Sequence, residues 1–360
     1  MQNTKIQWTD HTVNFWWGCT KVSRACKHCY AETVAKVFGK RLFGTVPEWG
    51  AGKPRFERLE AARKESLKLN RKAEKEQRAW AALSKAGVHS GEAEMMPCPD
   101  RPLVFVNSMS DWLDDEVPIA WLAALLETLH LCPNVDFQLL TKRPENWRSR
   151  LLKVWAAEHR KGAPLSDLCK MTSRWTSNTD PADIPSNVWI GCTVEDQQAA
   201  DARVPHLLKI PAKVRFLSCE PLVGAIDLRI PQLRGAMDDP RFGGNFKDFN
   251  EAIHWVIAGG ESGGPAEPSH PDWFRSLRDQ CAAARVPFFF KQWGEWLPQD
   301  HLEAALHAAF GDSPQSRLQR SYKGQKLDDG TLMLRVGVDT AGHRLEGQEW
   351  HQFPEPAAAQ

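Results

Sequence analysis

A chain of 360 residues can form one large domain or two ordinary ones, with a full-sized core. Its 42% hydrophobic and 25% charged content is that of a soluble globular protein, and a net charge of +1 excludes a global electrostatic drive towards nucleic acid, leaving only a local basic face. No window approaches the roughly 18 consecutive apolar residues of a membrane span. The opening MQNTKIQWTD has no apolar stretch of the signal-peptide kind, so a cytoplasmic protein with no membrane contact is expected. In that reducing compartment nine cysteines read as free thiols and metal ligands.

In chain order, apolar or β-branched runs at 13–17, 103–106, 137–140, 188–190, 214–217, 255–258 and 287–290 predict strands. Most are apolar throughout, as in parallel strands buried on both faces. Helical patterns lie between them. Pro118 precedes Ile119, Leu122, Leu125, Leu126 and Leu129, Pro144 precedes Trp147, Leu151, Val154 and Trp155, and Pro271 precedes Trp273, Phe274 and Leu277. The alternation predicts an α/β fold, a parallel (β/α) barrel or partial barrel with right-handed crossovers, over 1–296. Two stretches break the rhythm and read as insertions, the charged 53–102 and the Pro/Gly/Asp-rich 221–250. Residues 297–360 read as a C-terminal β appendage, with an alternating run at 331–338 and a hairpin turn at Ala341-Gly342-His343.

The sharpest local signal is Cys19, Cys26 and Cys29 in a C-x6-C-x2-C spacing, between the first predicted strand and the first predicted helix. Three soft thiolates on one loop suit an iron–sulfur cluster with one open iron, or a zinc knuckle completed by His28 or a distant cysteine. The ends of the other strands are small or polar: Asn107-Ser108-Met109-Ser110-Asp111, Thr141-Lys142-Arg143, Thr193-Val194-Glu195, Ser218-Cys219-Glu220, Gly259-Gly260-Glu261-Ser262 and Lys291-Gln292-Trp293. In a parallel barrel these share one rim, where active sites are built, and that rim favours the cluster over a knuckle.

By chemistry, Gly259 and Gly260 let a ligand approach the backbone, Glu195, Glu220 and Glu261 accept hydrogen bonds, and Lys142, Arg143 and Lys291 pair with carboxylate or phosphate. Ion pairing among these rim residues is an equal alternative for each. Arg55, Arg58, Arg63, Arg71 and Arg78 lie in a stretch read as a solvated helix, with nucleic-acid contact as the minor reading.

The string Trp8-Thr9-Asp10, Trp17-Gly18-Cys19 and Cys26-x-x-Cys29-Tyr30, together with the rim blocks, resembles an uncharacterised phage- and prophage-associated protein family related to radical S-adenosylmethionine enzymes. The resemblance runs from the N-terminus to about Trp296. It implies a radical-type barrel in which Cys19, Cys26 and Cys29 hold a 4Fe–4S cluster and S-adenosylmethionine completes the open iron. It implies Asn107, Ser108, Gly259, Gly260 and Glu261 as cofactor-site residues, beside Thr141, Lys142, Thr193, Glu195, Glu220 and Lys291 of the same rim. A reduced flavodoxin or ferredoxin-type electron donor is the implied partner. The substrate stays open, with nucleic acid or nucleotide modification or repair suggested by the phage association. Two departures stand out. The usual radical spacing is C-x3-C-x2-C, and Val336-Gly337 is followed here by Val338-Asp339 where the family tends to carry paired lysines. The alternative class is a zinc- or cluster-stabilised phage protein that binds nucleic acid or protein without turnover.

Overall fold

The structure is a computed structural model that describes residues 4–85, 98–160, 166–177, 183–228, 252–311 and 322–354. Strand β1 (His11–Val13) is followed by a short antiparallel pair, β2 (Trp16–Trp17) and β3 (Phe56–Glu57). Then come β4 (Leu103–Val106), β5 (Asp136–Thr141), β6 (Val188–Thr193), β7 (Val214–Cys219), β8 (Trp255–Gly259) and β9 (Phe288–Gln292). These six and β1 form one parallel sheet in the order β1-β4-β5-β6-β7-β8-β9. The first and last strands do not pair, so the sheet curls into an open half-barrel.

The predicted first strand, 13–17, divides in two. After Val13 the chain leaves the ladder, and Phe15 N–H donates to Asn107 Oδ1 at 2.8 Å. Trp16 and Trp17 then pair with β3. The mainly apolar run concealed that step because Val13, Phe15, Trp16 and Trp17 are all buried, and only Asn14 interrupts it.

The crossover helices are α1 (Tyr30–Phe43), α2 (Leu59–Lys85), α3 (Ile119–His130), α4 (Trp147–His159), α5 (Asp167–Ser177) and α6 (Gln197–Leu208), with a later one at Pro271–Ala284. Side chains alternate along each strand between two cores. Val104, Ile190, Val256 and Phe290 face Leu122, Leu151, Val204 and Phe274 of the helices. Phe105, Trp189, Phe216, Trp255 and Phe289 face the other way, where they surround Trp8. Aromatic side chains thus fill the face of the half-barrel turned from its helices, Trp8, Trp189 and Trp255 among them.

The segment that read as the first insertion supplies β3 and α2, and Ala62 and Leu69 of α2 join the helix-side core. Helix α5 is an additional element in the β5-to-β6 crossover. Of the second insertion, 229–250 lies outside the described residues, as do 86–97 of the first. At the C-terminus β10 (Trp296–Pro298), β11 (Lys323–Lys326) and β12 (Leu332–Arg335) form a three-stranded antiparallel sheet. Strand β12 pairs backwards onto β11 instead of turning at Ala341-Gly342-His343. A separate small hairpin, β13 (Arg344–Leu345) and β14 (Gln348–Glu349), follows. The chain then lies along β9: Phe290 N–H donates to Trp350 O at 2.7 Å, and Gln352 N–H to Phe288 O at 3.2 Å. Among the described residues no helix is long and apolar enough to cross a membrane.

Candidate metal centre

The cysteine loop leaves β2 at the carboxyl side of the sheet and is pinned at its start. Gly18 N–H donates to Met109 O at 3.2 Å, and Gly50 N–H to Cys19 O at 3.0 Å. Gly18 has φ +104, and a Cβ there would lie 2.9 Å from Glu48 O, so both conformation and space call for glycine. Arg143 donates from Nη2 to Thr20 O at 2.5 Å and from Nη1 to Asp111 Oδ2 at 2.8 Å. Arg55 donates to Asp114 Oδ2 from Nε at 3.0 Å and from Nη2 at 2.8 Å, and reaches Thr20 Oγ1 at 2.7 Å. Among the arginines of the charged stretch, Arg55 does not face solvent. Its side chain is 1% exposed, so it is an internal brace. Arg58 lies over the Phe43 ring, 4.9 Å from its centroid.

The three cysteines are free thiols, with Cys26 buried and Cys19 and Cys29 half-buried. A cation stands directly beside Cys19. Arg143 Nη1 stands 3.8 Å from Cys19 Sγ. Even so, burial, reinforced by Asp111, pushes the Cys19 thiol up to about 12. For Cys26 burial also acts upward, but the Lys142 ammonium and hydrogen bonds from Val22 and Ser23 outweigh it and leave the thiol below its ordinary value. Lys21 feels both Cys29 and Cys26, and its ammonium pairs with Glu32 at 2.6 Å.

Around this loop the rim residues hold one another. Thr141 Oγ1 donates to Asp111 Oδ1 at 2.7 Å, and Lys142 Nζ donates to Thr193 Oγ1 at 3.2 Å. Glu195 is buried against Arg203 at 2.6 Å. Burial raises its carboxyl, while Arg203 and Ser23 lower it further and prevail. Glu220, whose peptide to Pro221 is cis, pairs with Lys291 at 2.5 Å, both side chains 19% exposed. Glu261 faces His28 Nδ1 at 3.1 Å and accepts from Glu267 N–H at 2.7 Å. A cleft of about 60 Å³ opens between Arg24, Lys27, His28, Val223, Glu261 and Glu267.

Three predicted rim residues have structural work in view. Asn107, at φ 61, accepts Phe15 N–H and so shapes the β1-to-β2 step. Ser108 O accepts the Tyr30 hydroxyl at 3.0 Å. At Gly260 a Cβ would come 1.9 Å from Trp293 O, so the missing side chain there admits the neighbouring backbone. Gly259 is roomier, with Glu220 at 3.4 Å from the corresponding position. Asp114 and Lys21 belong to the site without having been singled out by sequence, and Arg55 was read there only as a cation of the charged stretch. Only Lys21, a base inside the cysteine spacing, carried a local signal.

The donor set, three free thiols with flanking cations, fits a thiolate-held cluster in its chemistry. In position, among the described residues, no three His, Cys, Asp or Glu side chains are gathered to hold a metal ion.

Fold and loop together define an open parallel β/α half-barrel protein with a cysteine loop at its carboxyl rim. A family model described as protein of unknown function (DUF5131) matches residues 3–354, and the chain belongs to that family. No curated protein and no solved structure matches it.

Proposed function

We propose that the chain is a radical S-adenosylmethionine-type enzyme, with Cys19, Cys26 and Cys29 as the protein ligands of a 4Fe–4S cluster. The observation that carries this reading is three free thiols on one loop at the mouth of a parallel half-barrel, with the Arg143 guanidinium 3.8 Å from Cys19 Sγ. The Lys142 ammonium also helps to hold the Cys26 thiol below its ordinary value. A cluster on three thiolates is anionic, and fixed cations around it offset the cost of burying that charge. When bound, the cluster supplies the electron that splits S-adenosylmethionine into methionine and a 5′-deoxyadenosyl radical.

The chain's own residues bind and orient. Lys142, held by Thr193, and Lys291, held by Glu220, present positive charge for a carboxylate. Glu220 and Glu261 offer acceptors to an amino group or ribose hydroxyls. Gly259 keeps the sheet edge open beside Glu220. Glu195, neutralised by Arg203, fixes the start of α6 and Ser23 of the loop. The substrate class proposed for test is nucleic acid or nucleotide, and a reduced flavodoxin or ferredoxin-type protein is the proposed donor.

Anaerobic reconstitution with iron and sulfide, followed by dithionite and S-adenosylmethionine, is expected to release 5′-deoxyadenosine. Cys26→Ala is expected to abolish both cluster absorption and release. A fully loaded cluster without cleavage would sink the reading and leave redox sensing. Stoichiometric zinc in a colourless protein would favour a binding protein without turnover.

A further inference from the structure

After β12 the chain returns to β9 and wraps its end. Trp293, just beyond the strand, donates its N–H to Gly342 O at 3.1 Å and its indole Nε1–H to Arg344 O at 2.8 Å. On the strand itself Phe288 N–H donates to Gln352 Oε1 at 2.9 Å, and His351 sits opposite Phe289 in an antiparallel bridge. This C-terminal strap covers the sheet edge that β9 would otherwise present to solvent.

At the centre of the strap His351 lies between two rings. It stacks on Phe289 with centroids 4.5 Å apart and planes at 9°, and on His343 at 5.2 Å and 27°. Its Nε2 is buried and has no hydrogen-bond partner among the described residues. A neutral ring can leave that nitrogen bare. A protonated ring must place an N–H there with no acceptor, which burial penalises. The face of Phe289 would by itself accept a cation, but His343 stands on the other side.

His343 is the better placed of the two to hold charge, since its Nε2 lies 3.4 Å from Glu349 Oε1 and its side chain is 36% exposed. Glu349 is shared with Arg344 at 3.3 Å, so only part of its charge serves the histidines. From β9, Phe289 presents only its ring. Burial and then His343 lower the His351 imidazole below its ordinary value, and Glu349 opposes them without prevailing.

We propose that His343 and His351 form a pH-sensitive clasp that holds the C-terminal strap on β9 near neutral pH and opens it in mild acid. The chemistry is proton uptake alone: one proton from solvent adds to the bare Nε2 of His351, and no other covalent bond changes. The neutral ring is required only in the closed strap, so closure is complete above pH 6.5 and weakens as pH falls below it. Opening frees the backbone of Phe288 and Phe290 to pair with another strand, which couples acidity to exposure of a sheet edge. None of these residues belongs to the cysteine loop, so the clasp operates whether or not a cluster is bound.

The test is hydrogen–deuterium exchange of the full-length protein at about pH 7.5 and about pH 5.5, each rate corrected for the intrinsic pH dependence of exchange. Protection of the Phe288, Phe290 and Gln352 amides is expected to fall by up to roughly tenfold, the limit for one histidine that takes up its proton at 6.5 only when released. His254, whose ring accepts Arg215 N–H, is a separate acid-sensitive group. In His254→Asn the fall should persist at the strap while β5 and β6 stay protected. His351→Phe keeps a ring on Phe289 and loses the proton site, so its strap should be equally protected at both pH values. His343→Gln, at a half-exposed position, should shrink the fall and serves where His351→Phe does not fold. An unchanged strap in the parent protein, a fall of undiminished size in either variant, or a fall shared evenly by β5 and β6 in His254→Asn would overturn the proposal.

Discussion

Arg55 and Asp114 meet at 2.8 Å with both side chains 1% exposed, and they do so directly beneath Thr20 of the cysteine loop. A charge pair so deeply placed is held by geometry, since Arg55 also donates to Gly50 O and Lys53 O and thereby ties three segments together. Removing one partner strands the other. Arg55→Ala or Asp114→Ala is expected to cost about 3–5 kcal/mol in urea unfolding. The double replacement Arg55→Met with Asp114→Leu should cost less than either single change. Equal losses in single and double variants would contradict this account.

Gly260 offers a second test of position. Gly260→Ala sets a methyl group 1.9 Å from Trp293 O, and backbone there cannot yield without displacing β9. Thermal unfolding should fall by several degrees, or the variant should fail to fold. Gly264→Ala, with nothing within 4 Å of its added carbon, should move the midpoint little.

His254 makes the fold sensitive to acid. Burial, with Arg215 nearby, lowers its imidazole from 6.5 to about 4. Its Nδ1 accepts Arg215 N–H at 3.1 Å, a bond that needs the neutral ring. Because the folded value is depressed, this stabilisation is complete above pH 6.5 and is lost as the unfolded chain takes up the proton between 6.5 and 4. The loss should be about 2–3 kcal/mol over that window. His254→Asn should flatten that part of the stability-against-pH curve, and an unchanged curve would count against the assignment.

The C-terminal strap protects an edge. Truncation after Glu349 removes Trp350, His351 and Gln352 from their pairing with β9 and Phe353 from its contact with Trp255. An uncovered strand edge of three phenylalanines is a template for association. Light scattering on warming should rise earlier in the truncated chain than in the full one. Coincident curves would show that the strap has no such role.

The parallel strands β4 to β9 were legible because each carries a mainly apolar run. Strand β1 was not, since only Val13 of it fell in the predicted run at 13–17, which spans a turn of the chain at Asn14 and Phe15. The charged face of α2 masked Ala62 and Leu69, whose spacing reaches the core. In the candidate site the cysteines and strand ends were visible as local patterns. The Arg55–Asp114 pair was not, since partners 59 positions apart leave no periodic trace. Gly260 was legible as a close-approach residue, while the structure supplies the neighbour as Trp293 backbone.

Trp8 carries a further consequence. Its ring lies 6.3 Å from that of Trp255, and Trp255 in turn meets Phe353 at 5.1 Å. The beginning, the last third and the end of the chain therefore converge on one indole. During synthesis Trp8 must wait for Trp255 to emerge before its ring has that neighbour. Such long-range closure makes folding slow and leaves the nascent chain exposed meanwhile. The aromatic plug thus stays open until then, and a ribosome-stalled chain ending before residue 255 should still bind a hydrophobic dye.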